Sequence, residues 1–193
     1  YRLERPSRVV VDLADGKLAS ADGPMDVDTW AVSQIGTAQY ADEASRTARD
    51  DGKDVVAFRA TMVMSTYLVA FVVGPLEATD PVDVDGVPMR VLHVPGKGHL
   101  TTFGLEIGAF ALRWYQKYYG IPYPTDKLDM LALPDFAAGA MENLGCITYR
   151  ESLLLADPQT ATQYELQTLA DVVAHEIAHM WFGDLVTMRW WNG

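Results

Sequence analysis

The sequence has little of what marks secreted or membrane-spanning proteins. It contains a single cysteine, Cys146, in 193 residues, which excludes an intrachain disulfide framework and suits a reducing compartment. Its longest apolar stretch, around 67–73, is much shorter than the roughly 18 apolar residues of a spanning helix. We therefore predict a soluble cytoplasmic protein that does not insert into a membrane.

Positive charge is also scarce. The chain has 15 Lys and Arg against 26 Asp and Glu, a formal charge of −11, and the basic residues form no run. Because nucleic acids and anionic membrane surfaces are bound by concentrated basic patches, we predict neither as a partner. Hydrophobic residues make up 49 % of the chain, which is enough for a folded core and argues against long disordered segments.

The pattern of the chain changes near residue 80. Before that point, segments rich in β-branched and aromatic residues at 9–11, 55–58 and 66–73 alternate with Asp-Gly pairs, which predicts β-strands joined by turns. A polar, proline-containing segment at 79–83 follows and predicts a domain boundary.

The second part mixes strands and helices. Three segments predict strands, at 88–94, 128–132 and 146–149. Apolar residues at helical spacing from Phe103 to Tyr118 predict an amphipathic helix that ends at Gly120. A second helix is predicted to begin either at Pro158 or at the capping box Thr162-x-x-Glu165 and to continue towards Gly183.

This second helix carries the pattern H-E-x-x-H at 175–179. Residues four apart lie on one face of a helix, so His175 and His179 can bind one metal ion at about 2.0 Å from each ring nitrogen. Zinc acidifies water, and the neighbouring Glu176 carboxylate could accept the released proton. The alternative interpretation is a pair of solvated or core histidines on an amphipathic helix.

The pattern supplies only two of the three protein ligands of a catalytic zinc ion. Asp184 is the only acidic residue after His179, and it would have to fold straight back to reach the same ion. We therefore do not expect Asp184 to be the third ligand. The other two histidines, His93 and His99, show no ligand spacing, and we assign them no role.

Two motifs together resemble the aminopeptidase N family of zinc metallopeptidases: Gly-Ala-Met-Glu-Asn at 139–143 and His-Glu-Ile-Ala-His-Met-Trp-Phe-Gly-Asp-Leu-Val-Thr-Met at 175–188. Shorter stretches are also similar, at 65–74 (which looks like a closing β-strand), 119–124 and 134–136, whereas the first 60 residues resemble the family only loosely. The resemblance implies an α+β fold. A β-rich N-terminal portion, 1–80, would precede the first half of a thermolysin-like mixed α/β zinc metallopeptidase domain, 81–193.

The resemblance also implies a role for each motif residue. His175 and His179 would bind one zinc ion, and Glu176 would be the general base. The substrate-binding residues would lie along an edge strand and its end: Gly139, Ala140, Met141, Glu142 and Asn143. Glu142 would bind the free α-amino group, so that only the first peptide bond reaches the metal. Without the resemblance, Glu142 would be interpreted as an ordinary turn carboxylate.

In this family the third zinc ligand is a glutamate nineteen positions after the second histidine, which corresponds to position 198, beyond Gly193. We therefore expect the chain to be a fragment, inactive by itself, of a zinc aminopeptidase that acts on peptides with a free N-terminus. The alternatives are a folded non-enzymatic module, a zinc endopeptidase of the same clan or an epoxide hydrolase. Three tryptophans near the motif are expected to pack around the helix: Trp181, Trp190 and Trp191.

Overall fold

The computed structural model describes residues 61–70, 72 and 74–189, and the backbone of four short strands before residue 61. The chain divides into two compact units, Tyr1–Val63 with Phe71–Pro75 and Met64–Ala70 with Leu76–Gly193. The domain boundary that the sequence predicts near residue 80 stays a prediction.

The described strands of the first unit form two antiparallel pairs. Strand β1 (Lys17–Ser20) pairs with β2 (Gly23–Asp26), and β3 (Ser45–Ala48) pairs with β4 (Asp54–Ala57). Strand β4 confirms the strand predicted at 55–58 to within a residue. The strand predicted at 9–11 lies outside the described residues.

The second unit contains a six-stranded mixed sheet. Its strands are β5 (Glu77–Ala78), β6 (Val82–Val84), β7 (Val87–His93), β8 (Leu128–Leu133), β9 (Ala140–Met141) and β10 (Cys146–Arg150). The order is β5-β7-β8-β10-β9, and β6 also pairs with β7. The three central strands β7, β8 and β10 are parallel, whereas β9 runs antiparallel to β10 at the end of the sheet. All three strands predicted in this part are therefore confirmed.

An ion-pair network lies inside the sheet at Asp129, whose side chain is 1 % exposed. Its carboxylate accepts hydrogen bonds from Arg90 Nε at 2.7 Å and from Lys127 Nζ at 2.7 Å. Lys127 also donates to the carbonyl of Gly145 at 3.1 Å. A buried carboxylate that stays ionised needs such partners, and here they connect β7 and β8 to the turn that precedes β10.

Helix α1 (Thr102–Tyr119) ends as predicted, because Gly120 adopts the left-handed conformation, φ 63°, that favours glycine at this position. The buried face differs from the prediction. Its buried residues are Gly104, Gly108, Ala111 and Leu112, whereas Phe110, Trp114 and Tyr118 are between 45 % and 67 % exposed. Small residues allow the helix backbone to approach the sheet closely, so the aromatic residues lie on the other side.

We expect Gly104→Ala to lower the free energy of unfolding by about 1–3 kcal/mol, through overpacking. A methyl group at Gly104 would overlap the backbone carbonyl oxygen of Leu154, which cannot move aside. Gly108→Ala is the matched comparison, because its methyl group would meet only the mobile side-chain ends of Met89 and Met130. Urea denaturation should give the larger loss for Gly104→Ala, and equal losses would contradict the packing account.

Helix α2 (Gln163–His179) begins with the capping box that the sequence predicted. The Thr162 hydroxyl accepts a hydrogen bond from the Glu165 backbone N–H at 3.2 Å, and the Glu165 carboxylate accepts one from the Thr162 N–H at 2.8 Å. The helix therefore starts at this box and not at Pro158. Its core side consists of Leu169, Val173 and Ile177, together with Glu176, which are all buried.

Trp181 packs after the helix as expected. It is 2 % exposed, donates from Nε1 to the Ile121 carbonyl at 3.1 Å, and contacts the rings of Tyr115, Tyr119 and Tyr123. Trp190 and Trp191 lie outside the described residues. In the described part of the chain, no helix combines the length and the apolar character needed to cross a membrane.

The strand predicted at 66–73 is wrong for the described part of that segment. Thr66–Leu68 form a 3-10 turn, in which the Leu68 and Val69 N–H groups donate back to Ser65 and Thr66. Leu68 is fully buried, and its carbonyl accepts a side-chain hydrogen bond from Asn143. These contacts hold the segment as a turn instead of an extended strand.

Candidate metal centre

His175 and His179 face each other on the last turn of α2. Their Nε2 atoms are 3.1 Å apart, close to the roughly 3.3 Å that separates two nitrogen ligands at 2.0–2.1 Å from a tetrahedral ion. The Nδ1 atom of His179 lies 2.7 Å from the Phe182 carbonyl. Such a contact fixes the tautomer in which Nε2 is free to bind a metal. The side chains present therefore fit a zinc ion.

Glu176 lies between the two histidines in sequence but is directed into the protein. It is 6 % exposed, and its Oε2 atom has no hydrogen-bond partner. Burial, assisted by the negative charge of Glu142, raises the pKa of Glu176 from 4.5 to about 7, partly opposed by His179. A carboxyl group with this pKa can take up and release a proton near neutral pH.

Glu142 also lies beside the histidines of α2, although it belongs to the segment at the edge of the sheet. It follows the edge strand β9, Ala140–Met141, and its Oε1 atom is 4.0 Å from His179 Nδ1. Ligand atoms of Glu142, Glu176 and His179 all lie within 4.8 Å of one another. The structure thus brings together the two motifs that are separated by some thirty residues in the sequence.

The remaining residues of the first motif form the edge of the sheet. Ala140 and Met141 pair with Tyr149 and Thr148 of β10, and the Gly139 carbonyl accepts a hydrogen bond from the Arg150 backbone N–H at 2.8 Å. The backbone of this segment is thus placed at the end of the sheet. Its role in substrate binding stays a prediction.

Asn143 has a buried side chain that is engaged within the protein. It is 4 % exposed. Its Nδ2 donates to the Leu68 carbonyl at 3.2 Å, and its Oδ1 accepts from the Thr148 hydroxyl at 2.9 Å. These bonds hold the turn after Glu142, and direct substrate contact by Asn143 stays a prediction.

Tyr67 also reaches this centre, although no sequence pattern marks it as a site residue. Its hydroxyl donates to Glu142 Oε1 at 3.3 Å. Burial and the charges of Glu142 and Asp184 raise the pKa of Tyr67 above its ordinary value of 10.0. The contact joins residues 75 positions apart, which no local pattern could reveal.

Asp184 does fold back beside the histidine helix. Its N–H donates to the His179 carbonyl at 3.1 Å, its side chain is 1 % exposed, and neither carboxylate oxygen has a hydrogen-bond partner. Its carboxylate lies outside the cluster formed by Glu142, Glu176 and His179. The expectation that Asp184 is not a metal ligand stays a prediction.

The other histidines lie elsewhere. His93 is 3 % exposed, and its Nδ1 is 2.8 Å from the Val94 carbonyl, so it is a core histidine with a hydrogen-bond partner. His99 is exposed, in a short 3-10 helix.

We expect the free energy of unfolding of the metal-free chain to fall as the pH rises. Burial raises the pKa of Asp184 from 3.8 to about 8, and that of Glu176 from 4.5 to about 7. Both groups keep their protons in the folded chain where the unfolded chain has lost them. The resulting stability is complete below about pH 4 and is lost progressively as the pH rises to about 7 for Glu176 and to about 8 for Asp184, by up to about 1.4 kcal/mol per pH unit for each group.

Denaturation at pH 5.0 and 7.5 with a chelator present measures this dependence. Asp184→Asn removes one of the two groups and should flatten the pH dependence. A stability that stays constant or rises between these pH values would contradict the assigned burial of the two carboxyls.

The site and the fold together define a class. A helix that carries two facing imidazoles and a carboxylate between them in sequence matches the H-E-x-x-H pattern that is typical of zinc metallopeptidases. Residues 103–193 match the peptidase family M1 domain. Residues 103–193 are thus part of a peptidase family M1 domain, and the mixed sheet with helices confirms the predicted α+β fold.

The chain is also similar to proteins that are named aminopeptidases. The chain is similar to Aminopeptidase M1 of Arabidopsis thaliana, 49 % identical over 138 residues that make up 72 % of this chain. Puromycin-sensitive aminopeptidase of Caenorhabditis elegans is 47 % identical over 77 % of the chain, and Aminopeptidase 2 of Candida albicans is 46 % identical over 90 %. The matched regions cover only 16 %, 16 % and 19 % of these relatives.

Proposed function

We propose that the protein containing this chain is a zinc aminopeptidase that removes the first residue of peptides with a free N-terminus. The observation that carries this proposal is the position of Glu142, whose Oε1 is 4.0 Å from His179 Nδ1 beside the metal-binding helix. A carboxylate at this distance can pair with an ammonium group while the adjacent peptide bond lies near the metal.

His175 and His179 would hold the zinc ion, as the 3.1 Å separation of their Nε2 atoms supports. The family resemblance assigns the third ligand to a glutamate at position 198. When bound, zinc supplies Lewis acidity that polarises a carbonyl group and acidifies water.

Glu176 would be the general base. Its buried carboxyl group, with a pKa of about 7, can accept the proton of the attacking water and pass it to the departing amine. Its free Oε2 atom leaves it able to make a new hydrogen bond during this transfer. The same burial holds the carboxylate in one place relative to the histidines.

The substrate backbone would lie along β9. This two-residue strand ends the sheet of the described residues, so it can add an extended peptide through main-chain hydrogen bonds. Strand addition would orient the peptide, and Glu142 at the end of the strand would set which bond is cleaved.

Product analysis tests the proposal against an endopeptidase of the same clan. We expect mass spectrometry of a decapeptide digested by the complete protein to show loss of one residue at a time from the N-terminus. Internal fragments in the first minutes would instead favour an endopeptidase, because such an enzyme has no use for an amino-group anchor. If no amino acid or fragment is released from any peptide, the result would favour the epoxide hydrolase or the non-enzymatic module.

We further propose that the protein acts on peptides in the cytoplasm, without a nucleic-acid or membrane partner. The single cysteine and the charge of −11 support this location and partner choice. A competing location comes from Endoplasmic reticulum aminopeptidase 2 of Homo sapiens, 47 % identical over 135 residues. Fractionation of the cells that make the protein distinguishes the two compartments.

A further inference from the structure

Two consecutive residues of the turn at 66–68 form hydrogen bonds with the last two residues of the first motif, Glu142 and Asn143. The Tyr67 hydroxyl donates to Glu142 Oε1 at 3.3 Å, and Asn143 Nδ2 donates to the Leu68 carbonyl at 3.2 Å. The turn at 66–68 and the end of the first motif are therefore joined at two consecutive positions.

The second of these contacts is buried. Leu68 is fully buried and Asn143 is 4 % exposed, and Asn143 is itself held by the Thr148 hydroxyl of β10 at 2.9 Å. Rigid neighbours therefore determine where Tyr67 lies. Its position beside Glu142 is a property of the folded unit, although Tyr67 itself is 52 % exposed.

The hydroxyl of Tyr67 is close to the rest of the centre. A methyl group built on Gly183 would lie 3.4 Å from this oxygen and 3.3 Å from His179 Nδ1. The phenol of Tyr67 is protonated at neutral pH and can donate a hydrogen bond to the carboxylate; burial, and then the charges of Glu142 and Asp184, raise its pKa further above the ordinary value of 10.0.

We propose that Tyr67 is a positioning residue for Glu142, holding one carboxylate oxygen so that the other is directed at the ammonium group of the substrate. This inference rests on the proposed aminopeptidase function. A free glutamate side chain has three rotatable bonds, and fixing it before the substrate arrives lowers the entropy lost on binding. Tyr67 should therefore act mainly on substrate affinity.

Tyr67→Phe in the complete protein tests this role, because it removes the hydroxyl and keeps the ring. We expect KM for a peptide with a free N-terminus to rise about tenfold while kcat changes by less than about twofold. Tyr164→Phe is the matched control, since Tyr164 is 79 % exposed on the first turn of α2, and it should leave both constants unchanged. An unchanged KM in Tyr67→Phe would overturn the proposal.

A double-mutant cycle separates positioning from a general structural role. If Tyr67 acts through Glu142, then Tyr67→Phe should have no further effect on KM in a Glu142→Gln background. Additive effects, or an equal fall in kcat for free and N-acetylated peptides, would overturn the assignment.

A binding measurement gives a readout that needs no catalysis. Calorimetric titration of the metal-free protein with leucine amide should show about tenfold weaker binding for Tyr67→Phe, and N-acetyl leucine amide should not bind to either protein. If the wild-type protein binds N-acetyl leucine amide as tightly as leucine amide, the proposed function fails. If the wild-type protein discriminates and Tyr67→Phe behaves identically, only the role of Tyr67 fails.

Discussion

Glu176→Gln should lower kcat of the complete protein by about a thousandfold, within the range of about 10² to 10⁴ that a positioned general base contributes. Glutamine has nearly the same shape as glutamate but cannot accept the proton of the attacking water. Because Glu176 is 6 % exposed and has an unpartnered Oε2 atom, the neutral amide should not disturb the fold. Steady-state kinetics with a peptide substrate measures the loss.

Zinc analysis and a surface variant show whether the loss of turnover is specific to the Glu176 carboxylate. The Glu176→Gln protein should bind zinc as the wild type does, since its two histidines remain in place. Glu106→Gln, at an exposed position on α1, should keep full activity. Turnover of Glu176→Gln within about threefold of the wild type would remove Glu176 from the mechanism.

His179→Ala should abolish both stoichiometric zinc binding and peptidase activity in the complete protein. Its Nε2 is one of the two nitrogens that face each other at 3.1 Å, and one imidazole with one further ligand is too few for tight binding. Elemental analysis after dialysis against zinc-free buffer measures the metal content. We expect less than about a tenth of an equivalent to remain.

His99→Ala is the matched control for this substitution. His99 is exposed in a short 3-10 helix, so its removal should change neither the metal content nor the activity. Retention of one equivalent of zinc by His179→Ala would contradict the assignment of α2 as the metal-binding helix.

Local signals explain why much of this arrangement could be predicted from the sequence. The Thr162 and Glu165 capping box and the spacing of His175 and His179 each depend on a few consecutive residues. Helix geometry alone turns such spacing into a shared face. The two facing imidazoles were therefore predictable, and the capping box was one of the two predicted starts of α2; the structure has both features.

Long-range contacts explain what could not be predicted. The segment at 66–68 has the composition of a strand, but the burial of Leu68 and its bond to Asn143 make it a turn. Similarly, the helical spacing of apolar residues predicted α1, but its buried face is set by close packing of Gly104 against Leu154 and of Gly108 against Met89 and Met130. Both outcomes depend on partners that are distant in the sequence.

Asp184 shows the same limit at the candidate site. The sequence indicated only that Asp184 would have to fold straight back to approach the histidines, and a turn at Gly183, φ 120°, does bring it back to the His179 carbonyl. The resulting burial raises its pKa to about 8. The sequence contains the glycine that allows this turn, but not the packing that buries the carboxylate.

The ratio of kcat/KM for a peptide with a free N-terminus to that for its N-acetylated form tests the central claim most directly. We expect the complete protein to favour the free form by at least about a hundredfold, because only an ammonium group can pair with Glu142. Glu142→Gln should bring the ratio towards one. Equal rates on the two peptides by the wild-type protein would contradict the account.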